Sequence, residues 1–462
     1  MAARDTRNVS RRAFIGATAT AMAAASYGRV VGANDRVGIG LIGFGLIGRI
    51  HARSFLGQHD VNMVNLAETY APRLEAGAEL IGSSVARSSD FRNLLDDRNV
   101  DAVVVATPDH WHALMTMLAC AAGKDVYVEK PLSLFVEEGQ WMIDVATRHK
   151  RIVQVGVQNR SGPNLQRARD LIKNGQLGSI IAAEDRFYRN LMPGFGNPSD
   201  SSPPKELNWD LWLGPSVYHP YNPNRGLYHF RWFWDTSGGQ MTNLGQHSLD
   251  LIQWYMDVEA PKSVYSTGGR FFLKDNCETP DTQDVLIEYP GFTTALQYRE
   301  ATAGREGQGM GAVVFYGTKG CMPVNRKGFE LVPDERVSPQ NTVAKILGGS
   351  PVGGPQPVPE ESGHHWTDPA KDTTGDGVKD YSRHARNFLD CVKSRQQPVA
   401  PLTAGHQVAT TCHLANISLR TGRKLIWDAK SQKIVGDPEA NTMLTRPYRK
   451  PWDKELRALG VG

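Results

Sequence analysis

The chain has 462 residues, more than one ordinary core holds and about enough for two domains. Hydrophobic residues at 40% and charged residues at 22% are the mix of a globular protein, not of a disordered or fibrous one. The formal net charge of +4 forms no basic block and no acidic tail, which argues against a nucleic-acid partner, and no apolar run is long enough for a membrane span.

Near the start, Ser10-Arg11-Arg12-Ala13-Phe14-Ile15 leads into the small, mildly apolar stretch Gly16 to Ala25. A charged region, a short apolar region and small residues fit a secretory signal, and the paired arginines are of the twin-arginine kind. Residues 1–33 are therefore expected to lie outside the fold, with cleavage between Ala25 and Ala33 and a periplasmic destination. That route carries folded proteins, so a cofactor can be seated before export. Five scattered cysteines (Cys120, Cys277, Cys321, Cys391, Cys412) show no C-x-x-C spacing. They read as small buried hydrophobes, not as a disulfide framework or a zinc site.

Arg36 to Ile42 is a short apolar run of the kind that forms a buried strand. It enters Gly43-Phe44-Gly45-Leu46-Ile47-Gly48, and Arg49 to Phe55 continues as a helix. In a dinucleotide fold Gly43 makes the tight turn, Gly45 lets the backbone approach a diphosphate, and Gly48 lets helix pack on strand. The helix N-terminus then offers N–H groups and a positive dipole to the phosphates. A second strand, Val61 to Ala67, ends on Glu68, placed to take ribose hydroxyls. A carboxylate there favours NAD over NADP, against which the nearby Arg73 weighs. Further strands, Ala102 to Ala106 and Asp125 to Val128, lead into Thr107-Pro108-Asp109-His110-Trp111-His112 and Glu129-Lys130-Pro131. Strands separated by helical segments predict a parallel Rossmann sheet with ligand at its carboxyl edge.

Lys130 at a strand end reads two ways, as a group facing the reaction or as a surface lysine neutralised by Glu129. In Ser237 to Leu251, a helix would put Asn243, His247 and Asp250 on one face, with a neighbour fixing the histidine tautomer. A histidine on an apolar helix can equally be a satisfied core residue. Val153 to Arg160 reads as a strand leaving the first sheet, with Gln158 and Arg160 at the expected domain junction. Ala182 to Tyr188 is the next strand, followed by Arg189-Asn190. Tyr188, Asn190 and Arg160, with Asn243 and His247, are candidate substrate contacts. The aromatic segments Asn208 to Pro215 and Tyr228 to Trp234 suit either a sugar platform or a core. Strands over 262–272, 282–289, 293–298 and 312–316 predict an open sheet. Residues 334–378 read as a surface excursion that lids the cleft, and helices follow at 381–393 and 404–419. Asp372 to Asp380 lacks a calcium loop's twelfth-position glutamate, and the paired histidines lack partners at metal spacing, so no metal is expected.

Strand-G-x-G-x-x-G, then T-P-x-x-x-H, then E-K-P, together with the glycine-led histidine segment, resemble the Gfo/Idh/MocA family of oxidoreductases over residues 36 to 430. The resemblance implies an α/β chain. A doubly wound Rossmann domain (34–155) precedes an α/β domain with a large, open, mostly antiparallel sheet for substrate and oligomerisation (156–380). Closing helices (381–430) then pack back on the first domain, and an extension (431–462) follows. It implies a homo-oligomer, a dimer or tetramer, and a carbohydrate substrate. It implies His247 as general base, Lys130 as the group that orients the hydroxyl, and Thr107, Pro108, His112, Glu129 and Gln158 as further cofactor contacts. The family usually has aspartate where this chain has Asn243, so either Asp250 substitutes for it or the reaction asks for a different proton balance. Three functions follow from these residues: a redox-neutral sugar or polyol oxidoreductase with bound NAD, a glycosidase or lyase working through transient C3 oxidation, and a non-catalytic sugar-binding protein that retains its nucleotide.

Overall fold

The computed structural model describes residues 36–303, 313–335 and 364–462. The expected signal segment and most of the 334–378 excursion lie outside the described residues.

Six parallel strands form the first sheet: β1 (Val37–Ile42), β2 (Val61–Ala67), β3 (Ala86–Ser88), β4 (Ala102–Val105), β5 (Asp125–Val128) and β6 (Val153–Val155). Their order is β3-β2-β1-β4-β5-β6, with the reversal of direction beside β1 that makes a Rossmann crevice. Because both faces are covered, alternate residues of one strand enter different cores. On β4, Ala102 and Val104 pack with Ile39, Phe55 and Phe388. Val103 and Val105 pack with Ile42, Leu114 and Trp452 on the other face.

The second sheet has ten strands and is mostly antiparallel, with one parallel pair, β7 against β10. Its members are β7 (Ile180–Tyr188), β8 (Ser263–Gly269), β9 (Thr282–Tyr289), β10 (Phe292–Arg299), β11 (Val313–Gly317), β12 (Gly320–Asn325), β13 (Gly328–Pro333), β14 (Ala370–Asp372), β15 (Leu425–Asp428) and β16 (Lys433–Ile434). Their order is β14-β13-β12-β11-β7-β10-β9-β8-β15-β16. Strand β9 alternates inward Gln283, Val285, Ile287 and Tyr289 with outward Asp284, Leu286 and Glu288, the signature of a sheet covered on one face. The inward face packs on two helices, α1 (Gly245–Met256) and α2 (Leu402–Thr421).

Two readings of the sequence change here. The strand expected over Val153 to Arg160 stops at Val155, and Gln158–Ser161 is a turn of 3-10 helix. Residues 431–462 are more than an extension, because Tyr448, Trp452, Leu456 and Leu459 complete a Rossmann core beside Trp111 and Phe91. The helix Gly377–Ser394 lays Ala385, Phe388 and Leu389 on the other Rossmann face. The chain thus starts and ends on the same sheet.

Candidate functional site

The segments expected to hold the nucleotide, and Lys130 with them, leave the carboxyl edge of the first sheet. The glycine loop follows β1, Glu68 follows β2, Thr107 follows β4 and Lys130 follows β5. Gly43 has φ +92°, and a Cβ there would sit 2.6 Å from the Ala106 carbonyl oxygen. At Gly48 a Cβ would meet the Gly43 carbonyl at 2.2 Å, so a side chain would push helix from strand. At Gly45 it would meet only Arg73 Nη1, at 3.6 Å. What glycine keeps open at that position is therefore the cleft, not a packing contact.

The cleft measures about 770 Å³ and is lined by Gly43, Gly45, Leu46, Ile47, Glu68, Arg73, Thr107 and Pro108. Thr107 Oγ1 is buried without a hydrogen-bond partner, and a bound nucleotide would give it one. The free helix N-terminus, the open glycine and this orphaned hydroxyl fit a dinucleotide. Glu68 receives the amide of Phe44 on Oε2 (2.8 Å) and that of Tyr70 on Oε1 (3.1 Å). The Phe44 amide is thus already spent and its ring is buried, so Phe44 shapes the loop and does not line the cleft. Arg73 reaches across to the Leu227 carbonyl at 3.4 Å.

Over this groove lies a roof that the sequence did not reveal. Leu211, Trp212, Leu227, Tyr228, Phe230 and Arg231 line its far side. It is tied down by backbone bonds from Ala71 to the Glu206 carbonyl and from Asn208 to the Thr69 carbonyl (3.0 and 3.1 Å). Of the two readings of the aromatic segment Asn208 to Pro215, the core is the one found, Trp209 stacking on Trp212 with centroids 4.7 Å apart. Trp232 and Phe233 are buried as well.

Lys130 is the meeting point of the two sheets' elements. Its Nζ donates to the Asn243 carbonyl (3.0 Å) and to Asn243 Oδ1 (3.1 Å). Burial draws its pKa down to about 8; Glu129 opposes this, Arg231 and Arg326 reinforce it, and Asp109 offsets part of it. The helix expected to run through Asn243 and His247 is broken there, into Gly239–Asn243 and α1. The break has a cause: the Asn243 carbonyl serves Lys130, and the His247 amide bonds to Leu244 instead. Asn243 is thus turned to the lysine, not to the histidine. Its amide nitrogen donates to Gln240 Oε1 (3.1 Å), and Gln240 Nε2 donates to Glu300 Oε1 (2.7 Å), which Arg189 also holds.

His247 Nε2 accepts from Arg326 Nη2 at 3.3 Å, and its Nδ1 is buried without a partner. Burial, Lys130 and Arg326 together hold its pKa well below the usual histidine value, so the ring is neutral. Arg326 comes from the turn between β12 and β13 and was invisible as a site residue in the sequence, where it sits in an unremarkable polar turn.

Several expected contacts are placed elsewhere. Asp250 does not reach His247; it forms a buried ion pair with Arg160, Nη2 to Oδ1 at 2.8 Å. Arg160 is spent there and on the Val399 carbonyl, not on substrate. Tyr188 shares its face of β7 with the outward Arg186, opposite to the inward Asp185 that bonds Ser248 on α1. Its hydroxyl bonds Gln297 on the sheet's open face. Asn190 is exposed and closes a local turn to the Met192 amide. Both ring nitrogens of His112 face carbonyls, of Pro131 (2.6 Å) and Thr107 (2.9 Å), so it ties strand ends together without touching the cleft. Glu129 is buried and takes His51 Nε2 at 2.7 Å on one oxygen and the Lys130 amide on the other. Gln158 sets its amide oxygen against Tyr381 Oη (2.9 Å) and Arg326 Nη2 (3.1 Å). Among the described residues no cluster of His, Cys, Asp or Glu could hold a metal, and no helix is long and apolar enough to cross a membrane.

Two family models match the chain. An oxidoreductase family with an NAD-binding Rossmann fold covers residues 37–157, and the C-terminal α/β domain of the same family covers 188–268 and 365–454. The chain is 24% identical over 261 residues to the rhizopine catabolism protein MocA of Rhizobium meliloti, covering 56% of this chain and 70% of that one. It is 33% identical over 144 residues to an inositol 2-dehydrogenase of Rhizobium meliloti (strain 1021), covering 31% and 43% respectively. A solved levoglucosan dehydrogenase in complex with NADH and levoglucosan has the same fold, with a TM-score of 0.64 at 16% identity over 87% of this chain and 100% of that one. With the six-stranded sheet, the glycine loop and both domain matches in agreement, the chain belongs to the Gfo/Idh/MocA family of NAD(P)-dependent oxidoreductases.

Proposed function

We propose that this chain is an exported oxidoreductase that oxidises a hydroxyl of a sugar, polyol or glycoside and keeps its NAD from one turnover to the next. The observation that carries the reading is the Lys130 amine, held by both oxygens of Asn243 at the sheet edge beside the nucleotide cleft. Names among the relatives, inositol 2-dehydrogenase and levoglucosan dehydrogenase, support a polyhydroxylated substrate.

Nicotinamide, when bound, accepts the hydride from the carbinol carbon. The proton of the hydroxyl has to go to a base, and the two candidates differ. His247 has its Nε2 lone pair occupied by Arg326, whereas Lys130 has a pKa near the working range. Lys130 therefore takes the proton first, and as an ammonium it is stabilised by the Asn243 oxygens. An amide in place of a carboxylate gives Lys130 hydrogen bonds without a full negative charge, which leaves its neutral form accessible. Gln240 fixes the Asn243 side chain that holds it.

Retention of the cofactor is supported by the roof of Trp212, Tyr228 and Arg231, which lines the far side of the cleft and adds contacts to a bound dinucleotide. A resident cofactor outside the cytoplasm has to be re-reduced or re-oxidised within each cycle. Net redox-neutral chemistry follows, either hydride transfer between two sugars or transient C3 oxidation with elimination of an aglycone. The test is turnover of a glycoside and free-sugar panel by as-purified protein with no nucleotide added, read by product mass. Multiple turnovers are expected, and the masses separate elimination from sugar-to-sugar transfer. Activity only on adding NAD, with stoichiometric NADH, would remove the retained cofactor; binding without any turnover would leave a sugar-binding protein.

Cofactor choice is proposed to rest on Glu68, whose charge repels a 2′-phosphate. Glu68→Ser is expected to shift the NADP/NAD ratio of dissociation constants toward NADP by about tenfold or more, read by nucleotide fluorescence titration. An unchanged ratio would move the discrimination to Arg73.

A further inference from the structure

Arg326 is a cation that the proposed reaction does not need and that no carboxylate among the described residues pairs with. Its Nη2 meets two neutral acceptors, His247 Nε2 at 3.3 Å and the Gln158 amide oxygen at 3.1 Å. Its guanidinium also reaches the Tyr381 hydroxyl, a further neutral group, and none of its nitrogens is a sealed, buried atom without a partner. The carboxylate that feels it most, Asp380, gives its Oδ1 to Arg383 at 2.7 Å and is pushed up by burial. By contrast, Arg160 is paired with Asp250 and Arg189 with Glu300, while Arg231, also without an ion pair among the described residues, faces the nucleotide cleft. Nor does Arg326 serve the nucleotide, since Arg73 and Arg231 line that cleft and Arg326 does not.

An unpaired guanidinium beside the reactive groups is costly until an anion reaches it. Its fork geometry matches a carboxylate with two parallel N–H bonds. Its position also has a consequence for His247, whose Nε2 it occupies. We propose that the substrate is a sugar acid, a uronate or aldonate, whose carboxylate is bound by Arg326, and that this draws Arg326 off His247 Nε2. The proposal rests on the oxidoreductase reading above and names its substrate class. The carboxylate is not consumed: hydride leaves the neighbouring carbinol carbon, the hydroxyl proton passes to the lysine, and the product is a keto acid sugar.

The test uses the full NAD-loaded protein and compares D-glucuronate, D-galacturonate and D-gluconate with D-glucose, D-galactose and D-glucitol, with glucose 6-phosphate as a second anion. Two readouts are taken, kcat/KM from product mass and binding to the NADH-loaded protein by calorimetry. The acids are expected to be preferred at least about tenfold, as one charge-assisted contact provides. In Arg326→Met the acid-to-neutral ratio should fall to within about threefold of one, whatever the absolute rates, while Arg326→Lys should keep part of it. Neutral sugars equal to the acids, a preference for the phosphate, or an acid preference that survives Arg326→Met would each overturn the proposal. Arg326-dependent binding of the acids with no turnover would keep this site and bring down the oxidoreductase reading instead.

Discussion

Lys130→Met is expected to lower the rate of hydroxyl oxidation by about 10²–10⁴, the range a positioned acid–base group supplies, while nucleotide affinity stays within about twofold. Methionine keeps the length and most of the volume but leaves both Asn243 oxygens without their donor, so an unchanged unfolding midpoint is the control that the segment has kept its shape. The informative measurement is the pH profile of single-turnover oxidation. Oxidation needs the neutral amine, so in the native protein the rate should climb as pH rises through about 8 and flatten above it. The reverse reduction needs the ammonium and should fall over the same window. A positively charged nicotinamide nearby moves the limb lower, never higher. The groups that set this limb are Glu129 and Asp109 on one side and Arg231, Arg326 and neutral His247 on the other. In the methionine variant the limb should vanish. A variant that keeps both its rate and its limb would return the base to His247.

Asp250→Ala is expected to behave as a stability mutation, losing about 3–5 kcal/mol, because it strands the buried Arg160 guanidinium without a counter-charge. The comparison that isolates the cause is Arg160→Met with Asp250→Leu. Removing both charges should recover most of the loss, since a buried pair replaced by apolar groups is often near neutral. Urea unfolding of the three proteins reads this directly. If Asp250→Ala instead left the midpoint in place and shifted the activity–pH profile, Asp250 would be acting on the histidine after all. The geometry argues against that: both carboxylate oxygens are taken by Arg160.

These two residues show where sequence reasoning works and where it stops. The glycine loop, the strand ends and the order of strand and helix are local patterns, and β2 runs from Val61 to Ala67 as its apolar pattern indicates. Lys130 was legible for the same reason, as a group at a strand end followed by proline. Helical periodicity, however, assumes an unbroken ladder. The ladder breaks at Asn243 because a lysine more than a hundred residues earlier claims its carbonyl. Asp250 was read as the histidine's partner by spacing, yet its true partner is an arginine on a 3-10 turn ninety residues away. Tyr188 and Asn190 were read from their place at the end of a strand, and one residue of parity decided that Tyr188 looks away from the cleft. Arg326 carried no signal at all, since only the return of the β12–β13 turn to the first sheet brings it to His247.

The return of the chain to its first sheet bears on how this protein can be dissected. Trp452 stacks over Phe91 and packs edge-on against Trp111, and Tyr448 donates its hydroxyl to the buried Glu138 at 2.6 Å. Phe388 fills the opposite face beside Phe55 and Tyr127. The nucleotide lobe is therefore a split unit with the larger sheet inserted into it, and a clone ended after β6 would carry two naked hydrophobic surfaces. Boundaries for expression, fusion or lobe exchange belong in the connections to the inserted sheet, with the helix Gly377–Ser394 and the last thirty residues kept alongside the first lobe.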